Sequence, residues 1–388
     1  MTVLLESVIC KLQVPPLSAM MWRSLAFALM AMAGLLLCAN AMAAENPDFT
    51  ETHEFLHVVI DGKPYRLDSL VVKKSEAKGP LPVALITHGT ALSISENRAK
   101  SVENFSWRAR DMAARGWLAV VVIRRGYGRS DGPFLKDTCE KPHIKLDLEA
   151  AADDLQAVID VLKKRPDVDS SRIIAMGDSM GGATAVALGA RNPAGLVGVV
   201  SVSGGLHLNC AGWEDKLVET YRAYGATSHV PNLWLYAKND EYFGPAVVDR
   251  MQTAFIEGGA NLSLKEIDPF QKEGHGLFLG GGVQWLDKLD YFLQYNHLPT
   301  WSYDDASNIQ KRLNIGSRWL RFAQQYLSAP VSKIMSFSPS TRRAFYMYDG
   351  TMDFVAGRAA AISRCEKAKI TDCRIVMENN RWVGPATQ

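Results

Sequence analysis

The sequence lacks an excess of charge of either sign. Among its 388 residues, 43 Lys and Arg are set against 41 Asp and Glu, which gives a formal net charge of +2. There is therefore no global electrostatic case for binding nucleic acid. With 47% hydrophobic and 22% charged residues, the composition also excludes a disordered chain, a collagen-like fibre, a coiled coil and a polytopic membrane protein. The chain is long enough to bury a substantial core.

Motifs for metals and nucleotides are missing as well. The sequence contains no H-E-x-x-H, no paired C-x-x-C and no cluster of His and Asp that predicts a metal site. The glycine-rich run Arg124–Gly132 lacks the G-x-x-x-x-G-K-[ST] pattern of a phosphate loop. We therefore expect no metal and no cofactor.

One uncharged stretch near the amino terminus is typical of a secretory signal peptide. The run from Ser24 to Ala43 has an arginine before it and ends in an A-x-A pattern. We predict a leader over residues 1–43, a periplasmic or secreted protein, and no stable membrane span after cleavage. An uncleaved anchor is the alternative, because the run barely reaches the roughly 20 residues that a bilayer requires. The residues before the methionine pair 20–21 are interpreted as an over-extended start.

Cysteines are few, six in all, and two of them fall in the predicted leader. The other four would enter an oxidising compartment, where disulfides form, and they permit three pairings. Because Cys365 and Cys373 are close in sequence, we expect them to pair with each other, which leaves Cys139 for Cys210. Free buried thiols are the alternative.

From about residue 53 to residue 300, short β-rich runs alternate with helical patterns, which is typical of an α/β fold. Leu81–Thr87 and Trp117–Ile123 are apolar throughout, as expected of parallel strands buried on both faces. After residue 300 the alternation stops, and Lys and Arg outnumber Asp and Glu. We predict a main domain over 44–300, with helices on both faces of a mostly parallel sheet. A small basic α+β domain over 301–388 is expected to follow.

The clearest chemical motif is Gly177-Asp178-Ser179-Met180-Gly181. It follows a predicted buried strand and opens a predicted helix, which is the setting of a nucleophile elbow. The glycines permit a tight turn that would expose the Ser179 hydroxyl at the carboxyl edge of the sheet. The amide of Met180, at the start of the helix, is then a donor for a developing oxyanion.

A serine nucleophile needs a base, and the base needs an orienting carboxylate. In the elbow fold these follow the serine in the order acid, then histidine. His275 lies in a glycine-flanked loop after the last predicted strand of the main domain, whereas His297 follows the last helix; we therefore predict His275 as the base. Asp240 and Glu241 both follow the strand that ends at 237, and the shorter Asp240 is favoured.

The loop after the third strand should supply a second oxyanion donor. Thr90 is the predicted donor, with the amide of Gly89 as the alternative. His88 precedes the nucleophile and is interpreted as a packed residue that supports this loop. Substrate selection is expected from residues 127–143 and 206–230, where five side chains could either line a pocket or serve packing: Tyr127, Leu206, Trp213, Tyr221 and Tyr224.

As a set, five segments resemble the α/β-hydrolase family, particularly its dienelactone hydrolase-like and prolyl oligopeptidase-like branches. The resemblance implies the α/β-hydrolase fold and cofactor-free acyl transfer by a Ser179–His275–Asp240 triad. Dienelactone hydrolases carry Cys at the nucleophile, so the serine here favours an esterase-type activity. The segments are His88-Gly89, Arg125–Ser130, Gly177–Gly182, Asp240–Phe243 and Gly274–Gly276.

The function that follows is an exported serine hydrolase acting on carboxylic esters through an acyl-enzyme, with a small-molecule ester or acyl compound as substrate. A peptidase or amidase using the same triad is the first alternative. A non-catalytic envelope binding protein that keeps the fold is the second. Neither the substrate's acyl group nor the oligomeric state follows from the sequence.

Overall fold

The computed structural model describes residues 48–134, 143–350 and 354–385. The predicted leader and Cys139 lie outside these residues. The described part of the chain belongs to a single compact unit. Within it, no helix has the length and apolar character needed to cross a membrane.

Eight strands form the main sheet, with helices between them. The strands are β1 (Phe49–Ile60), β2 (Lys63–Lys74), β3 (Leu81–Thr87), β4 (Leu118–Val122), β5 (Val168–Asp178), β6 (Leu196–Val202), β7 (Asn232–Ala237) and β8 (Leu262–Ile267). The helices are α1 (Ile94–Arg98), α2 (Ser106–Ala114), α3 (Ile144–Leu162), α4 (Met180–Ala190), α5 (Trp213–Gly225), α6 (Pro245–Glu257), α7 (Leu277–Gly280) and α8 (Gly282–Tyr295).

The order of strands across the sheet is β1-β2-β4-β3-β5-β6-β7-β8. The hairpin β1–β2 and the pair β2–β4 are antiparallel, and every pair from β4 to β8 is parallel. This confirms the predicted mostly parallel α/β sheet. Because the parallel strands point the same way, the residues that follow β3, β5, β7 and β8 meet at one edge, the carboxyl edge.

Helices cover both faces of the sheet, as predicted. The apolar stripe of α3 is fully buried at Leu148, Leu155 and Leu162 and packs in one core with α4, α5 and α6. The opposite face is covered by α2 and α8, with Trp117 and Trp285 buried between helices and sheet. Each helix thus buries the apolar side of a 3.6-residue pattern against the pleated strands.

The segment after residue 300 forms its own layer. Helices α9 (Tyr303–Arg312), α10 (Leu320–Ser328) and α11 (Phe354–Lys367) accompany strands β9 (Lys333–Ser338), β10 (Arg343–Tyr348), β11 (Arg374–Glu378) and β12 (Arg381–Trp382). The strands pair antiparallel in the order β10-β9-β11-β12. The predicted Cys365–Cys373 disulfide is formed. Cys210 is also disulfide-bonded, although its predicted partner lies outside the described residues.

Buried polar contacts attach this C-terminal segment to the main sheet. The guanidinium of Arg115 donates to both carboxylate oxygens of Asp290, at 2.7 and 2.9 Å, and to the carbonyl of Ser328 at 3.2 Å. The amide of Val331 donates to the carboxylate of Asp111 at 2.8 Å. These contacts pack the two parts of the chain together. That residues 301–388 form a separate domain therefore stays a prediction.

Two local features differ from what the sequence pattern suggests. The pattern from Val102 to Arg115 is typical of a single helix, but the chain makes a 3-10 turn over Val102–Phe105 before α2 begins at Ser106. Helix α9 was not predicted at all. Its sequence signal is a capping box, in which the Ser302 hydroxyl accepts the Asp305 amide and the Asp305 carboxylate accepts the Ser302 amide.

Candidate active site

Three predicted site residues lie at the carboxyl edge of the main sheet. Ser179 follows β5, Asp240 follows β7, and His275 follows β8. These strands are near neighbours in the sheet, so residues almost a hundred positions apart in sequence share one edge of the sheet. The edge is therefore where a reaction centre is expected in this type of fold.

The turn at Ser179 is tight and strained. Ser179 has φ 49° and ψ −126°, a backbone conformation that residues with side chains rarely adopt. A Cβ atom on Gly177 would lie 2.7 Å from the carbonyl oxygen of Thr87, and one on Gly181 would lie 2.6 Å from that of His88. The two glycines therefore let the elbow press against the end of β3, as the motif predicts.

The imidazole of His275 is hydrogen-bonded to a buried carboxylate. Its Nδ1 lies 3.2 Å from Oδ1 and 3.1 Å from Oδ2 of Asp240. Asp240 is fixed in turn, because its Oδ1 also accepts the amides of Tyr242 and Phe243 at 2.9 and 3.0 Å. Glu241, the alternative acid, is exposed. This arrangement fixes the ring and leaves Nε2 as the nitrogen that can accept a proton.

The surroundings of His275 favour its protonated form. Burial opposes the charged imidazole, but the hydrogen bond and charge of Asp240, followed by the charge of Asp178, raise the pKa of His275 above its usual value. Burial also raises the pKa of Asp178, the residue next to the nucleophile. No hydrogen bond joins the Ser179 hydroxyl to this imidazole, and such contacts often tighten only when substrate binds.

The predicted oxyanion donors are the amides of Met180 and Thr90. Met180 is the first residue of α4, where helical amides have no partner within the helix. The alternative, Gly89, is already engaged, because its amide donates to the Asp178 carboxylate at 3.1 Å. The Tyr127 hydroxyl donates to Thr90 Oγ1 at 3.1 Å and so braces this loop. Of the two alternatives in the loop, the structure therefore favours Thr90.

His88 supports the loop, in agreement with the sequence interpretation. It is completely buried. Its Nδ1 donates to the Gly89 carbonyl at 2.8 Å, and its Nε2 accepts the Arg124 amide at 3.0 Å. Burial first, and then the charge of Arg124, hold the pKa of His88 well below its usual value. A neutral ring with both nitrogens occupied cannot serve as the base.

An aromatic wall stands beside His275. The Tyr242 ring lies 4.5 Å from the His275 ring and 5.4 Å from that of His207, and His207 lies 4.5 Å from Trp213. These three wall residues are only partly buried, so they can contact a substrate. The buried ring of Phe243 lies 5.6 Å from the His275 ring.

The sequence identified only part of this wall. Trp213 was a candidate, whereas Tyr221, Tyr224 and Leu206 are buried packing residues. Tyr221, for example, donates its hydroxyl to the Gly204 carbonyl. His207 was not predicted because it lies in an irregular loop shortly after Gly204-Gly205. No periodic pattern in such a loop indicates which way a side chain points.

Comparison with known families matches the central part of the chain. Residues 90–235 match the model of the family Hydrolase_4, described as serine aminopeptidase, S33. This match includes Ser179 and its strained turn. The chain has the α/β-hydrolase fold. The matched region ends before Asp240 and His275, so the roles of these two residues in the hydrolase depend on the geometry described above.

Several solved structures are similar to the chain at low identity. A thermophilic esterase from Thermogutta terrifontis is 17% identical, with 64% of the hydrolase and 96% of that chain covered and a TM-score of 0.46. A dienelactone hydrolase-like promiscuous phosphotriesterase from metagenomic libraries is 18% identical, with 56% and 82% covered and a TM-score of 0.41. Dipeptidyl peptidase 4 of Porphyromonas gingivalis is 15% identical, with 64% and 35% covered and a TM-score of 0.47.

Proposed function

We propose that the hydrolase cleaves carboxylic esters through an acyl-enzyme, with Ser179 as nucleophile, His275 as base and Asp240 as the orienting acid. The observation that carries this proposal is the His275–Asp240 hydrogen bond at the same sheet edge as the strained Ser179 turn. A hydroxyl is a weak nucleophile at neutral pH, and a neighbouring imidazole removes that limitation.

The reaction follows from these positions. Nε2 of His275 takes the Ser179 proton while Oγ bonds to the acyl carbon, and the amides of Met180 and Thr90 stabilise the oxyanion. The imidazolium, stabilised by Asp240, gives its proton to the leaving alkoxide as the acyl–oxygen bond breaks. Water then attacks the acyl-enzyme, losing its proton to His275, and the acid product leaves as Ser179 regains a proton.

A peptidase or amidase is the second candidate, because the matching family model is described as a serine aminopeptidase. The two activities are separated by substrate panels on purified protein. We expect hydrolysis of 4-nitrophenyl esters of varied acyl length and little release from aminoacyl 4-nitroanilides. A clear preference for the anilides would favour the peptidase. Activity that survives in Ser179→Ala would show that the proposed site is not responsible.

We also propose export. The uncharged run Ser24–Ala43 with its small-residue exit supports it, as does the Cys365–Cys373 disulfide, since disulfides persist in oxidising compartments. Amino-terminal sequencing of protein recovered from the cell envelope or the medium should give a start just after Ala43. Recovery of an uncleaved amino terminus in the membrane fraction would favour an anchor.

A further inference from the structure

Three consecutive amides belong to the loop that follows β3, and the middle one has no partner. The amide of Gly89 donates to Oδ1 of Asp178 at 3.1 Å, and the amide of Ala91 donates to Oδ1 of Asn97 at 2.7 Å. Between them, the amide of Thr90 donates to no atom of the residues that the structure describes. Of the three donors, Thr90 is therefore the one that remains for a substrate atom.

Asn97 holds one side of this loop. It is a buried residue of α1, and its side chain bonds to both backbone polar groups of one loop residue. Its Oδ1 accepts the Ala91 amide, and its Nδ2 donates to the Ala91 carbonyl at 2.8 Å. The Thr90 hydroxyl also donates to this Oδ1, at 3.4 Å. Because moving Ala91 would leave a buried amide group unpaired, these bonds fix its place and orientation.

Asp178 holds the other side and connects the loop to the nucleophile. It is the last residue of β5 and directly precedes Ser179. The approach is close, because a Cβ on Gly89 would lie 2.8 Å from the Cβ of Ser179 and 3.0 Å from Oδ2 of Asp178. The loop therefore packs directly against the elbow, which brings the next amide in the chain, that of Thr90, close to the nucleophile.

We propose that Asp178 and Asn97 are positioning residues, which hold the loop so that the free Thr90 amide stays directed at the oxyanion. We call these two residues the loop clamp. The inference rests on the proposed ester hydrolysis. Both side chains act through the backbone of the loop and not on the reacting atoms. Such support matters because an oxyanion donor is effective only when it is fixed before the reaction, and a small misplacement can cost up to about 10²-fold in rate.

Two substitutions at Asp178 separate its hydrogen bond from its charge. Asp178→Asn and Asp178→Ala both remove the charge that helps to raise the pKa of His275, but only the alanine removes the acceptor for the Gly89 amide. Each variant is assayed with 4-nitrophenyl esters on the plateau of its own pH profile. We expect Asp178→Ala to lower kcat by about tenfold or more with little change in KM, as for an interaction made in the transition state. Asp178→Asn should recover most of that loss, and equal losses in the two variants would contradict the proposal.

The strand that carries Asp178 also offers a matched control. Asp169 lies near the opposite end of β5, and its carboxylate accepts the Ser171 amide at 3.0 Å. Asp169→Ala should therefore keep the kcat of the parent protein, whereas Asn97→Ala should lower kcat as Asp178→Ala does. A loss in Asp169→Ala as large as that in Asp178→Ala would show a general effect on β5 and overturn the assignment.

Hydrogen–deuterium exchange tests the loop clamp without reference to activity. Peptides that contain Gly89 and Ala91 should exchange faster in Asp178→Ala and Asn97→Ala than in the parent protein, because each variant frees one of these amides. Unchanged exchange in the rest of the chain shows that the variants are folded. Exchange of the loop at the parent's rate in both variants would overturn the inference even in an active hydrolase. A parent protein that hydrolyses no ester would instead contradict the proposed function, and the exchange rates would still show whether the two side chains hold the loop.

Discussion

At the scale of single residues, the hydrogen bond between Asp240 and His275 is expected to set the pH dependence of the hydrolase. In the proposed mechanism His275 must be neutral to accept the Ser179 proton, and its pKa is raised above its usual value. Activity should therefore be lost as the pH falls through this raised value. In the same mechanism the carboxylate fixes the tautomer and stabilises the imidazolium that forms during the reaction.

The first prediction concerns this pH profile. For 4-nitrophenyl esters, kcat/KM should fall on the acid side with a midpoint above 6.5, since that parameter reports ionisation of the free enzyme. Asp240→Asn should shift the midpoint downward, because the group that most raises the pKa of His275 is gone. A midpoint that does not move in Asp240→Asn would indicate that another carboxylate orients the histidine.

The second prediction concerns rate. Asp240→Asn should lower kcat by about 10³–10⁴-fold, because the amide favours the wrong imidazole tautomer. Glu241→Gln provides the matched control, since its side chain is exposed beside the site, and it should retain kcat within a few-fold. A larger loss in Glu241→Gln than in Asp240→Asn would reverse the assignment of the acid.

At the scale of structural elements, the close approach of the elbow to the end of β3 is the feature most sensitive to substitution. Gly181→Ala would place a Cβ 2.6 Å from the His88 carbonyl oxygen, so the backbone would have to move. We expect a loss of about 1–3 kcal/mol in the free energy of unfolding. Gly316→Ala, where no atom lies within 4 Å of the added Cβ, should change it by less than about 0.5 kcal/mol. Urea denaturation measures both, and equal effects would contradict the packing described.

The short disulfide of the C-terminal segment gives a further prediction. Cys365 and Cys373 are eight positions apart, so the bond closes a small loop and restricts the unfolded chain only moderately. Replacing both with serine should lower the free energy of unfolding by about 2–3 kcal/mol, measured by urea denaturation. Reductant should lower the free energy of unfolding of the parent protein. It should lower that of the double variant by less, because the Cys365–Cys373 bond is already absent there.

The elements most readily predicted from sequence are those with strong local patterns. Unbroken apolar runs predict the buried strands β3 and β4, and a stripe of apolar residues predicts the helix α3. The G-x-S-x-G spacing locates the elbow. Sequence could not give the break at Phe105 or the position of His207, because neither depends on periodicity. The hydrogen bond from the Gly89 amide to the Asp178 carboxylate likewise depends on packing between β3 and β5. The sequence alone therefore could not separate Gly89 from Thr90 as the predicted oxyanion donor.

At the scale of the whole molecule, a buried ion pair of the main domain, Arg115 with Asp290, also contacts the C-terminal segment. Arg115 bonds to Asp290 and to the Ser328 carbonyl, and both charged side chains are almost fully buried. Burial opposes the charge on Asp290, but Arg115 outweighs it and keeps the pKa of Asp290 below its usual value. Removing one partner would leave the other charge buried and unpaired.

Asp290→Ala should therefore reduce the free energy of unfolding by about 3–5 kcal/mol. The exposed pair Lys216–Glu219 is the control, and Glu219→Ala should cost less than about 0.5 kcal/mol. Chemical denaturation followed by tryptophan fluorescence compares the two. Similar small losses would show that Arg115 finds another partner when Asp290 is removed.

The most direct measurement of the central claim is covalent labelling by a fluorophosphonate, which reacts with serines activated by a neighbouring base. We predict one label per folded molecule, mapped by peptide mass spectrometry to Ser179 and greatly reduced in His275→Ala. Folded protein that takes no label, or a label that persists in Ser179→Ala, would contradict the proposed catalytic site.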